Sequence, residues 1–435
     1  MRSNFAAKRK AMQIAIPYKL QLDNAANIYP ASMTKRYSSL YRISVTLRDT
    51  VDETILQTAL NHVSERIPTF RCTLARGMFW WYLRQTGRSP RVRPLKPLHR
   101  FRLADQGGLL YRVSADGRRI VLDVFHALTD GTGAMTFLLT LTGEYLRLRY
   151  GIDISWSGQV LNPEDRPDFR EWEDSFKTVF TGRRGQLEKN VDAYHIKGRA
   201  LGNDGLIDSC LEMPREAVRV ACRKFDCSTT ELFTSLMLYS LQELYLNDPK
   251  AKHSALKVSV PVNLRPIYRS RTLRNFASYV NIGFDAAYGA RSLRRIISHV
   301  KAQKAHDMLT ENLEPKIAAN VELEEKLLVR CLPLLVKHPI IDIINLLHGD
   351  RYYSQTLSNL GEIKVPQQMQ PYIEFVDTVL GRQRGNSGAC TCTVFGDKVH
   401  FHLSRKIVDD RFERTFIRLL GEIGIPYSLT TTRIA

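Results

Sequence analysis

The sequence predicts two lobes of mixed α/β structure joined by a long connector. Three observations carry that expectation. Strand-type runs alternate with helix-type periods in both halves of the chain. Residues 151–200 break the rhythm: Trp156, Pro163, Pro167 and Trp172 sit among charges with no sustained period. The length of 435 residues with 44% apolar content suffices for two or three domains, burying roughly three quarters of the unfolded surface.

Element by element, Tyr41–Leu47 alternates as a half-buried strand, and Asp52 caps a helix running to about Ile67 with Ile55, Leu56, Leu60 and Val63 inward. Thr69–Leu74 and Met78–Leu83 read as a hairpin turning at Arg76-Gly77. A second hairpin joins Leu109–Val113 to Arg119–Phe125 through Asp116-Gly117, and a helix follows from Gly131 to Tyr150. The N-terminal lobe is therefore placed at 1–200, with its connector starting at about 151, and the C-terminal lobe at 201–435. The latter reads as a strand at Ile207–Met213, helices at Arg215–Lys224 and from Ser228 to Leu246, and strands at Lys257–Val262 and Tyr279–Asp285. Helical periods then cover Ser292–Leu309 and Leu313–Leu335. Strands return at Ser354–Leu357, Ile373–Leu380, Ala389–Phe395 and His400–Leu403, before a last helix at Arg411–Ile423.

Composition narrows the function. Lys and Arg exceed Asp and Glu by 63 to 44, a net charge of +19. The excess favours anionic partners such as nucleotide phosphates, an acidic carrier protein or an anionic membrane surface. No uninterrupted run of about 18 apolar residues occurs, so no spanning helix is expected, although peripheral membrane contact is compatible with the charge. The start of the chain reads as a basic tail rather than a signal peptide. Seven cysteines, an odd number, point to reduced thiols and a cytoplasmic setting. Cys222, Cys227 and Cys390-Thr-Cys392 do not add up to a zinc spacing, so no metal is expected. Phosphate-loop and dinucleotide signatures are absent, so no bound nucleoside triphosphate or nicotinamide cofactor is expected. Phe79-Trp80-Trp81-Tyr82 reads as a buried strand rather than a nucleic-acid platform, so no nucleic-acid partner is expected.

Arg118–Leu139 is the most informative segment. Ile120, Leu122, Val124 and His126 fall on one strand face, while Asp123 and Phe125 fall on the other. A rigid strand thus delivers the His126 imidazole to its own end. After Ala127-Leu128-Thr129, Asp130-Gly131 opens a helix, and Gly131 and Gly133 leave room for a ligand beside the backbone. An imidazole fixed at such a junction suits a general base. The competing reading is a core histidine followed by an ordinary Asp-Gly cap.

Phe125-His-Ala-Leu-Thr-Asp-Gly131 resembles the His-x-x-x-Asp-Gly motif of the chloramphenicol-acetyltransferase-like superfamily. That group includes condensation domains, polyketide-associated acyltransferases, wax-ester synthases and alcohol acetyltransferases. Three further segments are similar to its pattern: Val260-Pro-Val-Asn-Leu-Arg265, Thr272-Leu-Arg-Asn-Phe276 with Tyr279-Val-Asn281, and Ser358-Asn-Leu-Gly361. Together they span nearly the whole chain and come nearest to the alcohol acetyltransferase-like branch. Phe125 stands where condensation domains usually carry another His, and the plant-type Asp-Phe-Gly-Trp-Gly motif is absent.

The resemblance implies a two-lobe, coenzyme-A-dependent acyltransferase-like fold with its site in a tunnel between the lobes. It implies transfer of an acyl group from coenzyme A to an acceptor hydroxyl, or less readily an amine. His126 would be the general base, and Asp130 and Gly131 with Arg265 its structural support. Ser358 or Asn359 would contact the developing oxyanion. Acyl-coenzyme A is then a co-substrate, and no permanently bound cofactor is implied. Two alternatives remain: carrier-protein-dependent condensation forming amides or esters, and a non-catalytic member that binds an acidic partner or a membrane surface.

Overall fold

The structure, a computed structural model, describes residues 16–32, 39–98, 101–180, 182, 191–202, 205–325, 331–337, 340 and 350–434. The first half contains β1 (Lys19–Gln21), α1 (Ile28–Ser32), β2 (Leu40–Leu47), α2 (Glu53–Arg66), β3 (Cys72–Arg76), β4 (Trp81–Gln85), β5 (Tyr111–Asp116), β6 (Arg119–Phe125), α3 (Gly131–Tyr150) and α4 (Ser175–Val179). The second half contains β7 (Leu206–Pro214), α5 (Arg215–Phe225), α6 (Thr229–Leu246), β8 (Ala255–Asn263), α7 (Arg265–Tyr268), β9 (Ala277–Asp285), α8 (Leu293–Asp307) and α9 (Thr310–Glu325). It ends with β10 (Gln355–Glu362), β11 (Ile373–Leu380), β12 (Gly388–Phe395), β13 (Lys398–Arg405), α10 (Arg411–Glu422) and β14 (Ser428–Ile434).

Local chemistry sets the helix starts. Asp52 accepts from the backbone of Thr54 and Ile55 to open α2, and Asp130 accepts from Gly133 N to open α3. Ser228 and Glu231 form a reciprocal capping box on α6. Helix α3 is buried on every side from Gly133 to Tyr145 and Leu146, so it is a core element rather than a surface amphipath.

Among the described residues, three sheets result. A four-stranded sheet runs β11-β2-β6-β5, a seven-stranded sheet runs β14-β7-β13-β12-β10-β8-β9, and β1-β4-β3 forms a small third. Two hydrophobic cores accompany them. One gathers residues from Ile16 to Trp172, including the stacked Phe70 and Phe137. The other runs from Phe176 to Ile425, with Phe233, Phe401 and Phe416 at its centre. The segment from Ile363 to Val376 returns to the first core, because β11 pairs antiparallel with β2 over most of its length. The second half of the sequence therefore contributes an edge strand to the first sheet, something no local pattern announces.

The connector is anchored to both lobes. Glu171 forms a buried bidentate pair with Arg66 at 2.7 Å on each arm, and its carbonyl accepts from Leu273 N at 2.7 Å. Two expected elements shift. The first hairpin turns through Gly77–Trp80, with Gly77 N bonded to Trp80 O, so its second arm starts at Trp81. Of the helix expected over Leu313–Leu335, α9 covers the part to Glu325, residues 326–330 lie outside the described ones, and a separate turn over 334–337 follows Pro333, which lacks an N–H. Among the described residues, no helix is long and apolar enough to cross a membrane.

Candidate active site

His126 sits one residue past β6, where its backbone N–H donates to Ser39 O at 3.0 Å and extends the ladder by one bond. The imidazole is half-buried. Tyr29 stacks on its face, with ring centroids 4.4 Å apart, and Tyr41 meets it edge-on at 5.0 Å. Its Nδ1 lies 3.0 Å from Asn275 Oδ1. An amide oxygen only accepts, so Nδ1 carries the proton and Nε2 keeps its lone pair. Asn275 Nδ2 in turn donates to Asp23 Oδ2 at 3.3 Å. Burial lowers the His126 pKa below its ordinary value, against the partly offsetting charge of Asp130. The ring is therefore neutral near pH 7.

Asp130 is spent on structure. Its carboxylate receives Arg265 Nη1 at 2.9 Å and Nη2 at 3.0 Å, Phe276 N at 2.8 Å and Gly133 N at 3.1 Å. Burial raises its pKa, but the Arg265 charge and these hydrogen bonds outweigh that and hold it below the usual range. Arg265 is equally committed. Its Nε donates to Thr272 O, Nη1 also to Asn263 Oδ1, and Nη2 also to Arg274 O, so all five donors are used. Arg265 follows β8 of the second lobe and Asp130 opens α3 of the first, so this bidentate pair ties the two lobes at His126. Thr129 adds a hydroxyl bond to Leu273 O across the same junction.

The glycines make room for protein rather than for a ligand. A Cβ at Gly133 would meet Thr129 Oγ1 at 2.1 Å and Leu273 O at 2.2 Å, so that position admits no side chain. At Gly131 the neighbour is the Leu360 side chain of β10, at 2.9 Å.

Ser358 and Asn359 lie on β10 but diverge. Asn359 Nδ2 donates to Thr230 Oγ1 on α6 at 2.9 Å, and its Oδ1 accepts from Gly361 N at 2.8 Å. Asn359 thus shapes the bulge and bonds to the first turn of α6. Ser358 pairs in register with Thr391, whose hydroxyl bonds to Thr378 O of β11. Ser358 therefore shares the face turned toward the first lobe. A cavity of about 420 Å³ lined by Arg88, Arg91, Arg93, Gln106 and Tyr111 lies elsewhere in the first lobe. Of the basic residues on α8, Lys301 pairs with Asp226 at 2.6 Å and Lys304 with Glu231 at 2.9 Å. Both cations serve helix packing.

Sequence reasoning did not single out Asp23, Tyr29 or Asn275. Asn275 stood inside a quoted motif segment, whereas Asp23 and Tyr29 lie in a stretch without period. A second cluster also went unread: Cys210, Asp377, His400 and His402 converge so that one ligand atom of each lies within 4.8 Å of the others. The signal was present as His-x-His on one strand and Asp-x-Cys-x-Glu on another, both at the two-residue period that shares a face.

No protein-family model and no curated protein matches the sequence. Among solved structures, the chain is similar to polyketide synthase associated protein 5 from Mycobacterium tuberculosis, with a TM-score of 0.63 at 14% identity over 92% of this chain and 96% of that one. It is similar to TRI101 of F. graminearum complexed with coenzyme A and T-2 mycotoxin (TM-score 0.61, 11% identity, 94% and 99% covered). It is likewise similar to the trichothecene 15-O-acetyltransferase TRI3 from Fusarium sporotrichioides (0.59, 11%, 93% and 95%). Condensation domains match as well. The chain thus has the fold of these solved structures.

Proposed function

We propose that the protein is an acyltransferase that moves an acyl group from coenzyme A to an acceptor hydroxyl, with His126 as general base. The observation that carries this reading is the imidazole itself. It is neutral, held with Nδ1–H on Asn275, and fixed at the lobe junction by the Asp130–Arg265 pair. In the proposed reaction the acceptor oxygen attacks the thioester carbonyl carbon while its proton passes to His126 Nε2. The tetrahedral intermediate then collapses, the carbon–sulfur bond breaks, and His126 returns the proton to the departing thiolate. Both substrates meet directly, entering along the lobe junction, so the protein's task is positioning plus one proton relay. Ser358, on the facing lobe, is the candidate donor to the oxyanion.

Thiol release from acetyl-coenzyme A, measured against a panel of alcohols and amines, tests the reading. Acceptor-dependent release with at least one alcohol supports it. Turnover confined to amines, or to thioesters loaded on a carrier protein, would replace it with condensation-type chemistry. No turnover with any donor would favour a binding role.

A further inference from the structure

We propose that Cys210, Asp377, His400 and His402 form a zinc-type divalent metal site, independent of the acyl-transfer reading. Strand period and register assemble it. Cys210 pairs with His402 and Glu212 with His400 across β7 and β13, and Asp208, Cys210 and Glu212 share the face carrying both histidines. Asp377 reaches that face from β11, the strand that belongs to the sheet of the other lobe.

The hydrogen-bond geometry carries the inference. His400 places Nδ1 at 2.7 Å from Asp377 Oδ1 and Nε2 at 3.0 Å from Glu212 Oε2. His402 places Nε2 at 2.8 Å from the same Asp377 oxygen and Nδ1 at 2.8 Å from Asp208 Oδ2. Four ring nitrogens thus face carboxylates, a set that either two imidazolium rings or two neutral rings sharing a cation can satisfy. The convergence of the Cys210 sulfur and an Asp377 oxygen on the two inner nitrogens favours the cation. His400 Nδ1, His402 Nε2, an Asp377 oxygen and the Cys210 thiolate become ligands, and the outer N–H groups donate to Glu212 and Asp208. Carboxylates behind both ligating imidazoles are the supporting arrangement that metal sites use to fix ring orientation.

The donor set suits zinc. One thiolate, two imidazoles and a carboxylate are borderline-soft ligands for a tetrahedral ion. Bonds of about 2.0–2.3 Å place such donors roughly 3.3–3.6 Å apart, and the four ligand atoms here already lie within 4.8 Å of one another. His400 and His402 are buried, and Phe375 stacks on His400 from β11. Four protein ligands close the shell, which makes the site structural. It would clamp β11 of the first sheet to β7 and β13 of the second.

The test uses the full-length protein, free of any affinity tag, stripped with a chelator and then offered zinc or Co²⁺ alone. Expected are about one equivalent of zinc retained after desalting and a thiolate-to-Co²⁺ charge-transfer absorption. Both should be lost in Cys210→Ser/His402→Gln and kept in Cys222→Ser/Cys227→Ser, which removes two thiols outside the cluster. Retention unaffected by Cys210→Ser/His402→Gln would overturn the proposal. If that variant does not fold, the wild-type spectrum decides alone: absent zinc retention, or a Co²⁺ spectrum without thiolate absorption, overturns it.

Discussion

Histidines occupy two places where the lobes meet, and their surroundings differ in one respect that sets their chemistry. At His126 the ring nitrogen nearest the second lobe faces a neutral amide, and the adjacent carboxylate, Asp130, is consumed by Arg265. Burial then dominates and keeps the ring unprotonated. At His400 and His402 burial acts in the same direction, but carboxylates and the Cys210 thiol outweigh it. In the metal-free protein His400 is lifted to about 9 and His402 well above its ordinary range. The comparison teaches that burial alone does not decide a histidine's state. The partner of the second nitrogen does. A ring on an amide is ready to take a proton, whereas a ring on carboxylates is ready to keep one or to exchange it for a metal ion.

The lobe tie beside His126 gives the largest expected effect. Arg265→Ala strands the buried Asp130 charge and should cost roughly 3–5 kcal/mol, lowering both the melting temperature and turnover. An Arg265→Ala variant with unchanged melting and turnover would break the assignment of Asp130 to structure. Gly133→Ala forces a Cβ into Thr129 and the Leu273 carbonyl and should cost about 1–3 kcal/mol or more. Gly131→Ala meets only the flexible end of Leu360 and should melt close to wild type. Equal losses at the two glycines would contradict the packing described.

Smaller effects sharpen the contrast at the ring nitrogens. Asn275→Ala removes the acceptor that fixes the His126 tautomer and should lower kcat about 10–100-fold with little change in KM. A change in KM alone would mean that Asn275 binds substrate instead. The smallest expected effect lies in the pH profile. His126 must be neutral to act as base, and its pKa is lowered. The limb of kcat/KM that His126 itself sets should therefore lie below pH 6.5. Asp23, lifted to about 7 chiefly by burial, reaches the ring through Asn275. Asp23→Asn should remove an inflection near pH 7 and leave the lower limb in place. Of the other ionisable groups around the ring, Tyr29 and Tyr41 are pushed upward and Asp130 downward, so none of them titrates in this window.

Much of this was legible in the residues. The α3 limits follow from Asp130 and Gly151 at its ends, and Asp52 and Ser228 announce their helices by capping chemistry. The Asp130–Arg265 pair was implied by the motif segments and stands in the structure. What stayed hidden was non-local. Nothing near Ile373–Leu380 tells that this strand pairs with β2, more than 300 residues earlier, and the Cys210 cluster depends on that crossing. Asn359 could not be separated from Ser358 without knowing which face β10 turns to the helices. Asp23 and Tyr29 reach His126 from a stretch whose sequence has no period to read. The strand β14 was missed because its Thr-rich run is short and lies at the sheet edge.

Acyl transfer from acetyl-coenzyme A to an active alcohol, compared between wild type and His126→Ala, tests the central claim most directly. The account predicts a fall in turnover of about 10²–10⁴, with the melting temperature and the binding of acetyl-coenzyme A retained. Turnover equal to wild type in a folded His126→Ala protein would contradict it.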